Sequence, residues 1–77
     1  MNVETTIRNL ITETVEGFDG AMIKNDATFE DSGLDSLDLA TILLEVQETF
    51  DVVIAAGDEA QYDTLEKLVS YVQNSKS

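Results

Sequence analysis

Three stretches of this 77-residue chain return an apolar side chain at every third or fourth position, the repeat of a helix and not of a strand. Val3, Ile7, Leu10, Ile11 and Val15 form the first, after Asn2, a residue suited to capping, with Gly17 and Gly20 supplying a stop. Leu39, Ile42, Leu43, Val46 and Phe50 form the second, which predicts a helix from about Ser36 to Phe50 with this stripe turned to the core. Leu65, Leu68, Val69 and Val72 form the third, behind Asp63 and Glu66, which are spaced like a capping pair. Beyond Val72 the chain turns polar and is expected to fray. Val52, Val53 and Ile54 have strand-forming side chains but no second strand to pair with, so they read as a helix end and loop. A short helical turn is expected near Gly57 to Gln61. The expected fold is therefore all-α: a small four-helix bundle with three longer helices and a short third helix, in one domain spanning residues 1–77.

Between the first two helices, Phe18 to Asp35 shows no sustained period; Met22, Ile23 and Phe29 are expected to pin this long loop onto the core. Charge is the other constraint. Sixteen acids face four bases, and from Asn25 through Glu66 there are twelve acids and no lysine or arginine. Nucleic acid would be repelled by such a field, whereas a basic patch on another protein would be attracted and steered. The clustered carboxylates also repel one another, so stability in so short a chain should be marginal and should rise with salt, divalent cations or mild acid. No apolar run approaches the roughly 18 residues that span a bilayer. Met1-Asn2-Val3-Glu4 lacks the basic start of a secretory signal, and cysteine is absent, so a cytoplasmic location is expected, with no membrane partner.

Without histidine or cysteine the chain cannot build a Ser-His-acid triad, a Cys-His dyad or the usual zinc sites. Ser36 lacks the flanking glycines of a nucleophile elbow, and a pairing with Lys24 or Lys67 is a bare coincidence of composition. No segment has the alternating acids, central glycine and closing glutamate of a calcium loop. Neither catalytic residues nor a metal site are expected. On spacing alone, Ser36 reads as the N-cap of the second helix. That helix also carries a second stripe, Leu37, Ala40 and Leu44 with Thr41 and Glu48, on a face that core packing does not require. It reads as a docking surface.

Asp35-Ser36-Leu37-Asp38, preceded by Gly33 and followed by an amphipathic helix ending Glu48-Thr49-Phe50-Asp51, closely resembles the acyl carrier protein family, in its discrete, type II form. The likeness runs without a gap from Asp35 to Val72, through Phe50, Ile54, Leu65, Val69 and Tyr71, and the first helix fits as well. The resemblance implies that Ser36 carries a covalent 4′-phosphopantetheine arm, taken from coenzyme A by a phosphopantetheinyl transferase that supplies the activation this chain lacks. It implies a carrier that is a substrate and partner of enzymes, holding acyl groups as thioesters. The expected partners are acyl ligase, ketosynthase or acyltransferase enzymes with basic docking patches, and a monomer is expected. Asp35, Leu37, Asp38, Ala40, Thr41, Leu44 and Glu48 would form the partner face. Leu39, Leu43, Val46, Ile54, Tyr62, Leu68 and Val72 would line an acyl pocket between the helices.

The chain departs from the family pattern at several positions. Thr41 and Gln47 stand where fatty-acid carriers usually have acids, Ser32 replaces a leucine before Gly33, and Phe29 lies about one residue nearer that glycine than usual. Ile54 is followed by Ala55-Ala56-Gly57 and not by proline, which should loosen the segment from 55 to 61. These departures point to a dedicated carrier of a specialised polyketide, lipid or related pathway rather than of general fatty-acid synthesis. A peptidyl or aminoacyl carrier shares the serine and the bundle. An unmodified acidic helical adaptor, binding a basic protein surface through Leu37, Ala40, Leu44 and Glu48, would keep the face without the arm.

Overall fold

A computed structural model describes residues 2–55 and 57–76, with Ala56 of the expected loose segment outside the described residues. The apolar stripes become three α-helices, α1 (Val3–Thr14), α2 (Ser36–Phe50) and α3 (Leu65–Lys76). Two 3-10 turns, Gly20–Met22 and Glu59–Tyr62, sit in the connections. The all-α expectation holds, with one correction of kind: the short third helix is the four-residue 3-10 turn Glu59–Tyr62, none of whose residues is buried. Val52 to Ile54 form no strand, and among the described residues the single β-type contact is an antiparallel bridge between Thr28 and Thr64. No described helix is long and apolar enough to cross a membrane.

The helix ends show where local sequence spacing was a good guide. Asn2 caps α1, its side chain accepting the Thr5 N–H at 2.9 Å, and α1 closes with the Val15 N–H donating to the Ile11 carbonyl at 2.9 Å. The expected pair Asp63 and Glu66 does not cap α3. Because α3 begins at Leu65, the cap position falls to Thr64, whose hydroxyl accepts the Lys67 N–H at 3.2 Å. Asp63 is one residue too early and instead pairs its carboxylate with the Lys67 ammonium at 3.1 Å. The Glu66 N–H donates to the Asn25 carbonyl at 3.1 Å, so a loop some forty residues upstream closes the same helix end. Helix α3 also runs on past Val72 to Lys76.

Ile7 and Ile11 of α1, Ile42, Leu43 and Val46 of α2, and Leu65, Leu68 and Val72 of α3 meet in one cluster from which solvent is excluded. Each such side chain stabilises the fold by about 1.5–3 kcal/mol relative to exposure. Leu39, given to the core stripe, is only half-buried at its edge. Ile23, Phe29 and Leu34 carry the α1–α2 loop onto the cluster, but Met22 does not: Ile23 takes the inward position and Met22 is 78% exposed.

Arg8 fixes the same loop from the side. Its guanidinium donates to the carbonyls of Gly20 and Ile23, both at 2.8 Å, and to Asn25 Oδ1 at 2.6 Å, while Nε reaches Glu4 at 3.1 Å. The loop backbone lies so close to α1 here that a Cβ on Gly20 would stand 2.1 Å from the Arg8 carbonyl oxygen. Gly20 is thus a packing requirement and not the helix stop the sequence suggested.

Candidate functional site

The chain approaches α2 through Gly33, at φ +104°, and Leu34, which is buried and donates its N–H to the Phe29 carbonyl at 3.0 Å. Left-handed backbone of this kind favours glycine. Asp35 then sits in an extended conformation, φ −94° and ψ 179°, and its carboxylate accepts the Asp38 N–H at 2.8 Å. Asp35 is therefore the N-cap, and Ser36 is the first helical residue. This corrects the spacing argument that gave Ser36 the cap: the residue with non-helical backbone is one earlier. The correction matters chemically, because a capping serine commits its oxygen to the backbone. Ser36 is exposed, and its hydroxyl has no hydrogen-bond partner among the described residues. The N–H groups of Ser36 and Leu37 are likewise unpaired at the positive end of the helix.

Ser32, the other serine of this segment, is placed differently. It is half-buried, and its hydroxyl donates to the Thr28 carbonyl at 3.1 Å. The replacement of an apolar residue by Ser32 is absorbed inside the loop.

Beside Ser36 opens a pocket of about 450 Å³ lined by Thr28, Phe29, Glu30, Asp35, Leu39 and Asp63. Of the residues expected to line an acyl pocket, Leu39 alone borders this opening. Leu43, Val46, Ile54, Leu68 and Val72 are buried in the core cluster. Tyr62 is half-buried on a separate groove shared with Tyr71, the two rings 4.8 Å apart and tilted by 39°. Sequence reasoning gave Phe29 a structural role only, and Thr28 and Asp63 none at this site. An aromatic set between acids of the loop, Asp26, Glu30 and Asp31, was the available signal for Phe29. Asp63 enters through its backbone, whose carbonyl accepts the Phe29 N–H at 2.8 Å, and no residue pattern reports that contact.

The outward stripe of α2 is exposed along its length: Leu37 (73%) and Leu44 (53%) bracket exposed Ala40 and Thr41, with Glu48 beyond. Asp35 is exposed next to it and Asp38 half-buried. Thr41 turns its hydroxyl back to the Leu37 carbonyl at 3.0 Å. The described ion pairs are Arg8 with Glu4 and Lys67 with Asp63, so none of them engages Asp35, Asp38 or Glu48. Neither Lys24 nor Lys67 lines the pocket beside Ser36. The arrangement thus offers a free hydroxyl at a helix start, an apolar stripe with acids outside any described ion pair, and a pocket wall whose charged groups are all carboxylates.

Comparison with known proteins agrees with that geometry. A family profile described as the phosphopantetheine attachment site matches residues 5–72. The acyl carrier protein of Buchnera aphidicola subsp. Acyrthosiphon pisum (strain 5A) is 32% identical over 74 residues, covering 95% of this chain and 91% of that protein. The chain belongs to the acyl carrier protein family, whose cofactor is phosphopantetheine. That family is one of carrier proteins.

Proposed function

We propose that Ser36 is the attachment residue for 4′-phosphopantetheine and that residues 1–77 form one carrier domain around it. The observation that carries this reading is the exposed, unpartnered hydroxyl in the first turn of α2, within the matched segment. The surrounding residues fit the group. Asp35 satisfies the Asp38 N–H and leaves those of Ser36 and Leu37 free at the positive helix end, a setting that favours a phosphodiester. Asp35 and Asp38 oppose that charge but are placed to meet a basic partner. When bound, the arm supplies a thiol that holds acyl groups as thioesters. The transferase that installs the arm supplies the activation of Ser36.

Partner enzymes dock, in this reading, on the face formed by Asp35, Leu37, Asp38, Ala40, Thr41, Leu44 and Glu48. Two exposed leucines give an apolar contact, and the unpaired acids steer a basic patch toward it. The reduced charge at Thr41 and Gln47 supports a dedicated carrier of a specialised polyketide, lipid or related pathway, with partners unlike those of general fatty-acid synthesis.

The test is incubation with coenzyme A, Mg²⁺ and a promiscuous phosphopantetheinyl transferase, followed by intact mass and peptide mapping. One arm should be gained on Ser36 and none by Ser36→Ala. An arm mapped to Ser32, or no gain at all, would overturn the assignment and leave the acidic adaptor. Loading by fatty-acyl ligases but not by amino-acid ligases separates an acyl from an aminoacyl carrier.

A further inference from the structure

We infer that Phe29 closes the pocket beside Ser36 off from the core and so limits how far a tethered acyl chain can withdraw into this protein. The inference rests on Ser36 as the attachment residue. Phe29 holds a double position: its side chain borders the pocket, and at 1% exposure it is also a full member of the core cluster. The cluster it joins includes the buried side chains of Leu43, Leu68 and Val72, while Thr28, Glu30, Asp35 and Asp63 share the pocket lining with it. A chain entering from Ser36 therefore meets acidic and hydroxyl residues together with two apolar ones, Phe29 and Leu39, of which only Phe29 is also fully buried in the core.

That side chain is not mounted on a loose loop. The Phe29 N–H donates to the Asp63 carbonyl at 2.8 Å, and the Phe29 carbonyl accepts from the Ser32 N–H at 3.1 Å and the Leu34 N–H at 3.0 Å. Thr28, one residue earlier, is bridged to Thr64 at the start of α3. The wall is thus tied at once to the approach to α2 and to the approach to α3, and moving it breaks both ties. The other apolar residue on the pocket, Leu39, is half-buried at the helix edge and packs against the core without being enclosed by it. Phe29 is the specificity-determining position: short or polar acyl groups fit in front of it, and a long saturated chain stays in solvent or on a partner enzyme.

The test loads butyryl, octanoyl and dodecanoyl arms onto Ser36 from the corresponding acyl-coenzyme A thioesters, verifies each by intact mass, and measures cleavage of the thioester by hydroxylamine. In the wild-type protein the three rates should agree within about twofold, because no chain is sheltered. In Phe29→Ala the emptied volume joins pocket to core, and apolar cavities of this kind take up apolar ligands. The octanoyl and dodecanoyl rates should then fall about fivefold below butyryl, as for a chain withdrawn roughly 80% of the time. Phe29→Val should move the same way to a smaller extent, and it stands in if the alanine variant does not fold. A wild-type protein that already protects octanoyl over butyryl overturns the inference without any variant. So does a folded Phe29→Ala with the wild-type profile, or opening by Leu39→Ala in its place. Failure of the loading step strikes the Ser36 assignment itself and is seen in the mass spectrum before any rate is measured.

Discussion

The two long connections of this bundle are similar in composition and opposite in anchoring. The α1–α2 loop puts Ile23, Phe29 and Leu34 into the core, gives three acceptors to Arg8, and closes the start of α3 through Asn25. The α2–α3 connection buries Ile54 as its one apolar residue inside the core cluster, with Val52 and Tyr62 half-buried against it. Gln47 accepts the Ile54 N–H at 3.0 Å, the Tyr71 hydroxyl donates to the Val53 carbonyl, and Val53 itself is 75% exposed. Its 3-10 turn Glu59–Tyr62 has no buried residue and touches the core only through half-buried Tyr62. Lack of regular structure does not by itself make a segment loose; what separates the two is how many buried groups each commits. One connection supplies Thr28, Phe29, Glu30 and Asp35 to the pocket beside Ser36, and the other reaches it at Asp63 and elsewhere lies as a strap across the bundle.

Amide hydrogen exchange is the most direct way to break this comparison. The Phe29 N–H crosses to the Asp63 carbonyl and the Leu34 N–H returns to the Phe29 carbonyl, whereas those of Gly57, Asp58 and Gln61 go to acceptors in an exposed turn. The first pair should exchange about a hundredfold more slowly than the second group, reflecting opening that involves the core against opening that is local. Equal protection of Asp58, Gln61 and helix α2 would show that the second connection is as firmly held as the first, and the comparison would fall.

The next largest effect is expected at Arg8. Arg8→Ala removes a charged donor from the carbonyls of Gly20 and Ile23 and from Asn25, leaving groups that fold toward α1 without partners. A loss of about 3 kcal/mol is expected. In a domain of this size that lowers the melting temperature by roughly 15 °C, read by circular dichroism. Arg8→Lys should restore little, because one ammonium cannot reproduce the fork that serves three acceptors. A drop of only a few degrees would mean that the buried apolar anchors hold the loop unaided.

How much of this was legible in the chain follows from the range of the forces involved. Stripes such as Ile42, Leu43, Val46 and Phe50 are written at helical spacing, so α1, α2 and α3 could be placed from local pattern, and the exposed Leu37–Leu44 face followed from the same geometry. The serine proposed for attachment, Ser36, stood out through its neighbours. What local pattern could not supply was the partner of a distant backbone group: the Asn25 carbonyl at the start of α3, the Asp63 carbonyl on Phe29, the three acceptors of Arg8. Those contacts decide that Phe29 is a pocket wall and that Thr64, not Asp63, caps α3. One-residue errors in capping, at Ser36 and at Asp63, have the same origin, since several polar residues near a helix start suit the role and tertiary contacts choose among them.

The smallest expected effects sharpen the other side of the comparison, at Gln47. Its side chain accepts the Ile54 N–H and donates to the Leu43 carbonyl at 3.3 Å, so the amide serves as acceptor and donor in one clasp. Gln47→Ala leaves the Ile54 N–H unpaired at a part-buried position and should cost about 1–2 kcal/mol. Gln47→Glu, which restores the acid usual among fatty-acid carriers, separates the two functions. A carboxylate still accepts from Ile54, now with charge assistance, but cannot donate to Leu43, and it stands one helical turn before Asp51, adding like-charge repulsion of about 0.2–0.5 kcal/mol. The loss should therefore be smaller than for alanine and should shrink further in moderate salt, while the alanine loss stays unchanged. Urea titrations of both variants at low and moderate salt measure this. If glutamate costs as much as alanine at every salt concentration, donation to Leu43 is the contact that matters, and the strap is held by the helix end and not by Ile54.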